Sequence, residues 1–253
     1  MDNAKVGLLT TLLLGIFILI GALLALLVKK KDKVVDFSIG LALGVMVMLS
    51  VLDLLPEVIE HLGLRYIYIF LLGTVGGYFL LKMLDKFVPD HDHVEHKDLN
   101  HKELKENLIH IGIVTSLALV IHNIVEGMAV YTTILSDTKL GLAMTLGIGF
   151  HNIPLGMVIG ATFYQSNENF WKTITIVSSV ALSTFLGGLI MFFLNLSAIN
   201  EIILGTLLSI TLGMVIYITI SELIPRIRES NNKKVSYIGI VIGVLILLIS
   251  ALI

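Results

Sequence analysis

Eight apolar stretches separated by short polar segments run along the chain, near Val6–Val28, Phe37–Leu55, Tyr66–Phe87, Leu108–Thr133, Leu140–Tyr164, Ile174–Leu194, Ile202–Ile224 and Val235–Ile253. Each has about 19–25 residues, the length a helix rising 1.5 Å per residue needs to cross ~30 Å of hydrocarbon. In hydrocarbon the backbone must satisfy its own polar groups, and an uninterrupted apolar stretch of this length does so only as a helix. The expected fold is an all-α integral membrane protein of eight transmembrane helices, with residues 1–253 forming a single domain. Only 14% of the residues are charged and 56% are apolar, against roughly 25% charged in a soluble domain. That balance excludes an ordinary soluble enzyme, a disordered chain and a nucleic-acid binder. The first stretch is too long for a signal-peptide core, its positive charges follow it, and it lacks a small-residue cleavage site, so it reads as a retained helix. With no cysteine, a disulfide framework, a thiolate zinc site and a thiol redox motif are all ruled out.

Basic residues fix the expected orientation. Fourteen of the 17 lysines and arginines fall in segments on one side of the membrane, including Lys29, Lys30, Lys31 and Lys33 after the first stretch and Arg226, Arg228, Lys233 and Lys234 before the last. The other side receives Lys5, Arg65 and Lys139. By the positive-inside rule the first side is cytoplasmic, which puts both termini outside and a histidine-bearing loop, residues 88–106, in the cytoplasm.

Two sequence matches describe an internal repeat. Gly44 to Pro56, GVMVMLSVLDLLP, aligns with Gly213 to Pro225, GMVIYITISELIP, the glycine, the acid and the proline all coinciding. Ser116 to Met128, SLALVIHNIVEGM, aligns with Thr145 to Met157, TLGIGFHNIPLGM. Helices 2 and 7 cross in opposite senses, as do 4 and 5, so both matches fit one inverted repeat in a 3+1+1+3 arrangement. Inverted repeats meeting at a midplane site are a recurring transporter plan, because exchanging the conformations of the halves exchanges outward for inward access.

The second match carries the ionisable residues. His122 and His151 lie near the centres of helices 4 and 5, and Glu126 follows His122 by four residues, on the same helix face. Such groups are costly in hydrocarbon, and at this depth they default to a functional reading; the alternative is a hydrogen-bonded cluster that only joins the two helices. Two imidazoles and a carboxylate suit Zn²⁺ and also accept Fe²⁺, Co²⁺, Ni²⁺ or Cd²⁺. Asn123 and Asn152 add amide oxygens beside them, and Pro154 frees the carbonyl of Phe150.

HNIVEG on helix 4 and HNIPLG on helix 5 resemble the paired HNxxEG and HNIPEG signatures of the ZIP family of divalent-metal transporters, and the eight spans and histidine-bearing loop extend the resemblance over essentially the whole chain. It implies metal uptake into the cytosol, with His122, Asn123, Glu126, His151 and Asn152 at liganding positions. One departure stands out: Leu155 replaces the second glutamate, and helix 6 offers hydroxyls but no acid. A second ion would then meet no further negative charge, so a single ion is expected at the centre.

Asp53 and Glu222, near the outer end of helix 2 and the inner end of helix 7, each precede a proline read as ending its helix; they are either the entrance and exit of the path or ordinary interfacial carboxylates. His91, His93, His96 and His101 read either as a soft cytosolic metal-collecting segment or as part of a solvated polar loop. The expected function is import of a divalent metal ion, zinc first, across the cell membrane. The protein is not expected to be an enzyme or to need a cofactor. Its expected partners are the transported ion, membrane lipid and a second copy of the chain as a homodimer, with no nucleic acid. The rivals are an intramembrane zinc-dependent hydrolase, disfavoured by the absence of HExxH, and a proton-coupled carrier of another solute.

Overall fold

A computed structural model describes residues 3–27, 31–88, 101–167, 169–195, 200–230 and 232–250. Eight of its helices are long and apolar enough to cross a membrane: α1 (Asn3–Leu27), α2 (Lys33–Leu62), α3 (Leu64–Asp85), α4 (Lys105–Ser136), α5 (Thr138–Ser166), α6 (Phe170–Phe193), α7 (Glu201–Glu229) and α8 (Lys233–Ser250). The described residues contain no strand. The helix starts are built by short polar side chains that accept from otherwise unpaired backbone N–H groups. Asp137 Oδ1 accepts from the N–H groups of Lys139 and Leu140, so one residue both ends α4 and starts α5. Asn169 and Asn200 cap α6 and α7 in the same way. Between α2 and α3 the chain turns on Gly63, whose φ of 58° favours glycine.

Packing sorts the helices into two bodies. In one, α1 lies against α5 and α6 while α4 lies against the same two; in the other, α2 packs on α8 and α3 on α7. Fewer contacts join the bodies, chiefly α2 and α8 with α5, and α4 with α7. Pairing α1 with α6, α2 with α7, α3 with α8 and α4 with α5 maps α1 on α5 to α6 on α4, and α2 on α8 to α7 on α3. The inverted repeat expected from two short matches therefore governs the packing of the whole bundle.

Repeat-related glycines make the closest approaches possible. A Cβ on Gly127 of α4 would stand 1.9 Å from the Thr184 carbonyl oxygen of α6, and one on Gly156 of α5 would stand 2.0 Å from that of Ile18 on α1. Without side chains at these points the helices pack backbone to backbone, each close to a site histidine. The lipid-facing surface is apolar, as on α3, where Leu71, Leu72, Val75, Phe79 and Met83 are exposed.

The two prolines do not end their helices. α2 continues through Pro56 to Leu62, and α7 through Pro225 to Glu229. Each proline follows a π-helical turn, Ser50–Leu54 in α2 and Thr219–Leu223 in α7, closed by Leu55 N–H donating to Ser50 O and Ile224 N–H donating to Thr219 O. A proline ring clashes with the carbonyl four residues back in a regular helix. The extra residue in the wider turn shifts that carbonyl aside, so the helix passes the proline unbroken.

Candidate metal site

α4 and α5 place their ionisable residues face to face. His122 Nε2 lies 2.7 Å from Glu126 Oε1, and His151 Nε2 lies 2.9 Å from the same oxygen. The ring centroids are 6.3 Å apart, and one ligand atom from each of the three residues falls within 4.8 Å of the others. All three side chains are buried. Ligand atoms of a tetrahedral zinc ion, at about 2.0–2.2 Å from the metal, stand about 3.4 Å from one another, so a small outward adjustment of this cluster accommodates the ion. One turn of α4 supplies His122 and Glu126 together, and the repeat-related turn of α5 supplies His151.

Neither asparagine lines the cavity among its described lining residues. One residue further along a helix means about 100° of rotation, which turns Asn123 toward α6, where its amide donates to the Val180 carbonyl at 3.3 Å. Asn152 is fully buried, and neither amide atom has a hydrogen-bond partner among the described residues.

A cavity of about 270 Å³ adjoins the cluster and reaches Leu140 and Ser250, at the end of the bundle that carries the α4–α5 turn. Asp53 lines it, carried by the π-helical turn of α2, and so does Glu57. Sequence reasoning missed Glu57; the signal was its position one turn beyond Asp53, masked by reading Pro56 as the end of the helix. Leu155 is 1% exposed within the hydrophobic core, so that position supplies no polar group to the site.

Glu222 belongs to a second group toward the other end of the bundle. His110 Nε2 is 2.8 Å from Asp85 Oδ1 and 3.9 Å from Glu222 Oε2, and the Tyr217 hydroxyl donates to Asp85. Asp85 and His110 escaped notice because they lie near the ends of their stretches, where ionisable residues are ordinary. His91, His93 and His96 lie outside the described residues, as does the side chain of His101, although its backbone joins the helical run His101–Ser136.

Residues 88–251 match the family model described as ZIP Zinc transporter. A zinc transporter ZupT of Streptococcus mutans is 28% identical over 96% of this chain and 95% of its own. One from Oceanobacillus iheyensis is 27% identical over 100% and 99%, and one from Enterobacter sp. is 29% identical over 94% and 93%. The matched region spans α4 to α8, and with them His122, Glu126 and His151, and on that ground the chain belongs to the ZIP zinc transporter family.

Proposed function

We propose that this protein imports divalent metal, zinc foremost, into the cytosol across the cell membrane, holding the ion between His122, Glu126 and His151. Its family is one of transporters rather than enzymes. The observation that carries the reading is the convergence of two imidazole nitrogens, from repeat-related positions on α4 and α5, on one buried carboxylate oxygen. A structural cluster needs no such symmetry, whereas a carrier with an inverted repeat places its substrate where the halves meet.

In this reading Asp53 takes the ion at the entrance, and Glu222 with Asp85 and His110 receives it at the exit. Asn123 and Asn152 act as further ligands that reach the ion as the helices shift, Asn152 having the most to gain because its buried amide has no partner among the described residues. The shift is a sliding of the body containing α1, α4, α5 and α6 against the body containing α2, α3, α7 and α8, along the boundary where α5 meets α2 and α8 and α4 meets α7. The histidine-bearing loop collects metal on the cytosolic side.

Zinc influx into proteoliposomes tests the site. Glu126→Gln removes the charge that offsets a desolvated divalent ion, and flux should fall more than tenfold while the purified variant keeps its elution profile and helix content. Wild-type flux in that variant would defeat the assignment, and hydrolysis of a peptide without zinc flux would favour the rival enzyme.

A further inference from the structure

Beyond His122, α4 touches α6 backbone to backbone: a Cβ on Gly127 would meet the Thr184 carbonyl, and one on Gly187 would stand 2.1 Å from the carbonyl oxygen of Ile124. On the other side of His122 the two helices flank a groove of about 360 Å³, a volume within the ~300–1,000 Å³ range of ligand pockets. Its lining is Ile109, Ile113, Leu117 and Val120 of α4, Ile176 of α6 and the buried Phe163 of α5. Gly112 admits the Phe163 ring, from which a Cβ there would be 3.1 Å. The α4 residues recur at i, i+4, i+8 and i+11, on one helix face. From Ile109 to Val120 the helix rises about 16 Å, half of the ~30 Å of hydrocarbon and so the depth of one leaflet.

Two polar side chains join this lining. Ser116 is satisfied, its hydroxyl donating to the Gly112 carbonyl at 2.7 Å. Lys172 is exposed, lies in the first turn of α6, and pairs with no carboxylate among the described residues. Phe170 and Trp171 beside it are exposed as well, as aromatic side chains are where a helix meets the headgroup layer. The first turn of α6 has no acidic residue to offset the lysine.

We propose that the groove binds one anionic phospholipid from the leaflet on the Lys172 side, with its phosphate on the Lys172 ammonium and an acyl chain along the α4 stripe from Ile109 to Val120. A ligand with a leaflet-long apolar part and an anionic end uses both features of the groove. A free anion leaves the apolar walls uncovered, and a zwitterionic lipid leaves the lysine without a net countercharge. Seated there, the lipid fills the gap between α4 and α6 and fastens the helix that carries His122 and Glu126 to its neighbour.

Native mass spectrometry of the full chain, released from vesicles of mixed phosphatidylglycerol and phosphatidylcholine, tests the site. The wild type should retain one phosphatidylglycerol, preferred over phosphatidylcholine about fivefold, the factor a single lysine contributes near an anionic surface. Lys172→Gln should bring the two lipids close to parity and Lys172→Arg should keep the preference. Ile113→Trp, which fills the groove, should lower retention of both. Equal retention of the two lipids by the wild type would make the groove ordinary boundary surface and overturn the proposal, whether or not the variants fold. An unchanged preference in Lys172→Gln would place the anionic lipid elsewhere, and retention of tail-free glycerol phosphate instead of phospholipid would leave the groove no part in binding. Disulfide-linked dimers of Leu117→Cys in native membranes would put a second copy of the chain in the groove, and the lipid assignment would fall.

Discussion

Asp85, His110 and Glu222 separate what a residue is from where it acts. If this group receives the ion on its way out, Asp85→Asn/Glu222→Gln should lower the maximal zinc influx several-fold and leave the half-saturating zinc concentration unchanged. Loading through the cavity at the opposite end of the bundle does not involve it. Influx measured in proteoliposomes across a range of zinc concentrations distinguishes this from a loading role, in which half-saturation would shift at constant maximal rate. The same contrast marks how far single residues were legible. His122, Glu126 and His151 could be read because they combine depth, helical spacing and repetition, and the structure brings their ligand atoms together. The asparagines sit one residue along from the histidines, and only the packing of α6 shows that Asn123 faces Val180 instead of the cavity. Asp85 and His110 meet across a separation of 25 residues that no local pattern encodes.

Among the elements, span count and span position were legible because a membrane demands long apolar helices and little else satisfies it. The path of α2 and α7 past their prolines was not. Proline alone predicts an end, and it takes the preceding π-helical turn, present in both repeat-related helices, to carry the helix onward. That continuation puts Glu57 in the cavity and aligns it with Asp53. Contact between elements gives a direct test. Gly127→Val would drive a side chain into the Thr184 carbonyl of α6, forcing the helices apart at a cost of about 1–3 kcal/mol, the usual range for overpacking. Glu126 adjoins this glycine, so zinc binding should weaken as well. Gly76→Val is the control, since a Cβ there meets nothing within 4 Å. Thermal unfolding in detergent should show Gly127→Val clearly destabilised and Gly76→Val close to wild type.

For the molecule as a whole, direction of transport depends on which end of the bundle faces the cytosol, and the distribution of basic residues is the physical argument for it. Fourteen of 17 lysines and arginines fall in the sequence segments assigned to one side of the membrane, the side of Lys172 and Lys234, which the positive-inside rule and attraction to anionic lipid would keep in the cytoplasm. The cavity with Asp53 and Glu57 reaches the opposite end, close to the α4–α5 turn, so if the basic end is cytoplasmic this cavity is the external approach and the Asp85 group the internal one. The chain is free of cysteine, which allows single cysteines to report sidedness without background. Ser136, Asn200, Lys172 and Lys234 are all exposed. Ser136→Cys and Asn200→Cys should react with a membrane-impermeant maleimide in intact cells, while Lys172→Cys and Lys234→Cys should react only after permeabilisation. The reverse pattern would turn the molecule over, making the Asp53 cavity face the cytosol and exchanging the entrance for the exit. An ion loaded at Asp53 would then be leaving the cell, and the import reading would fail even with the binding site intact.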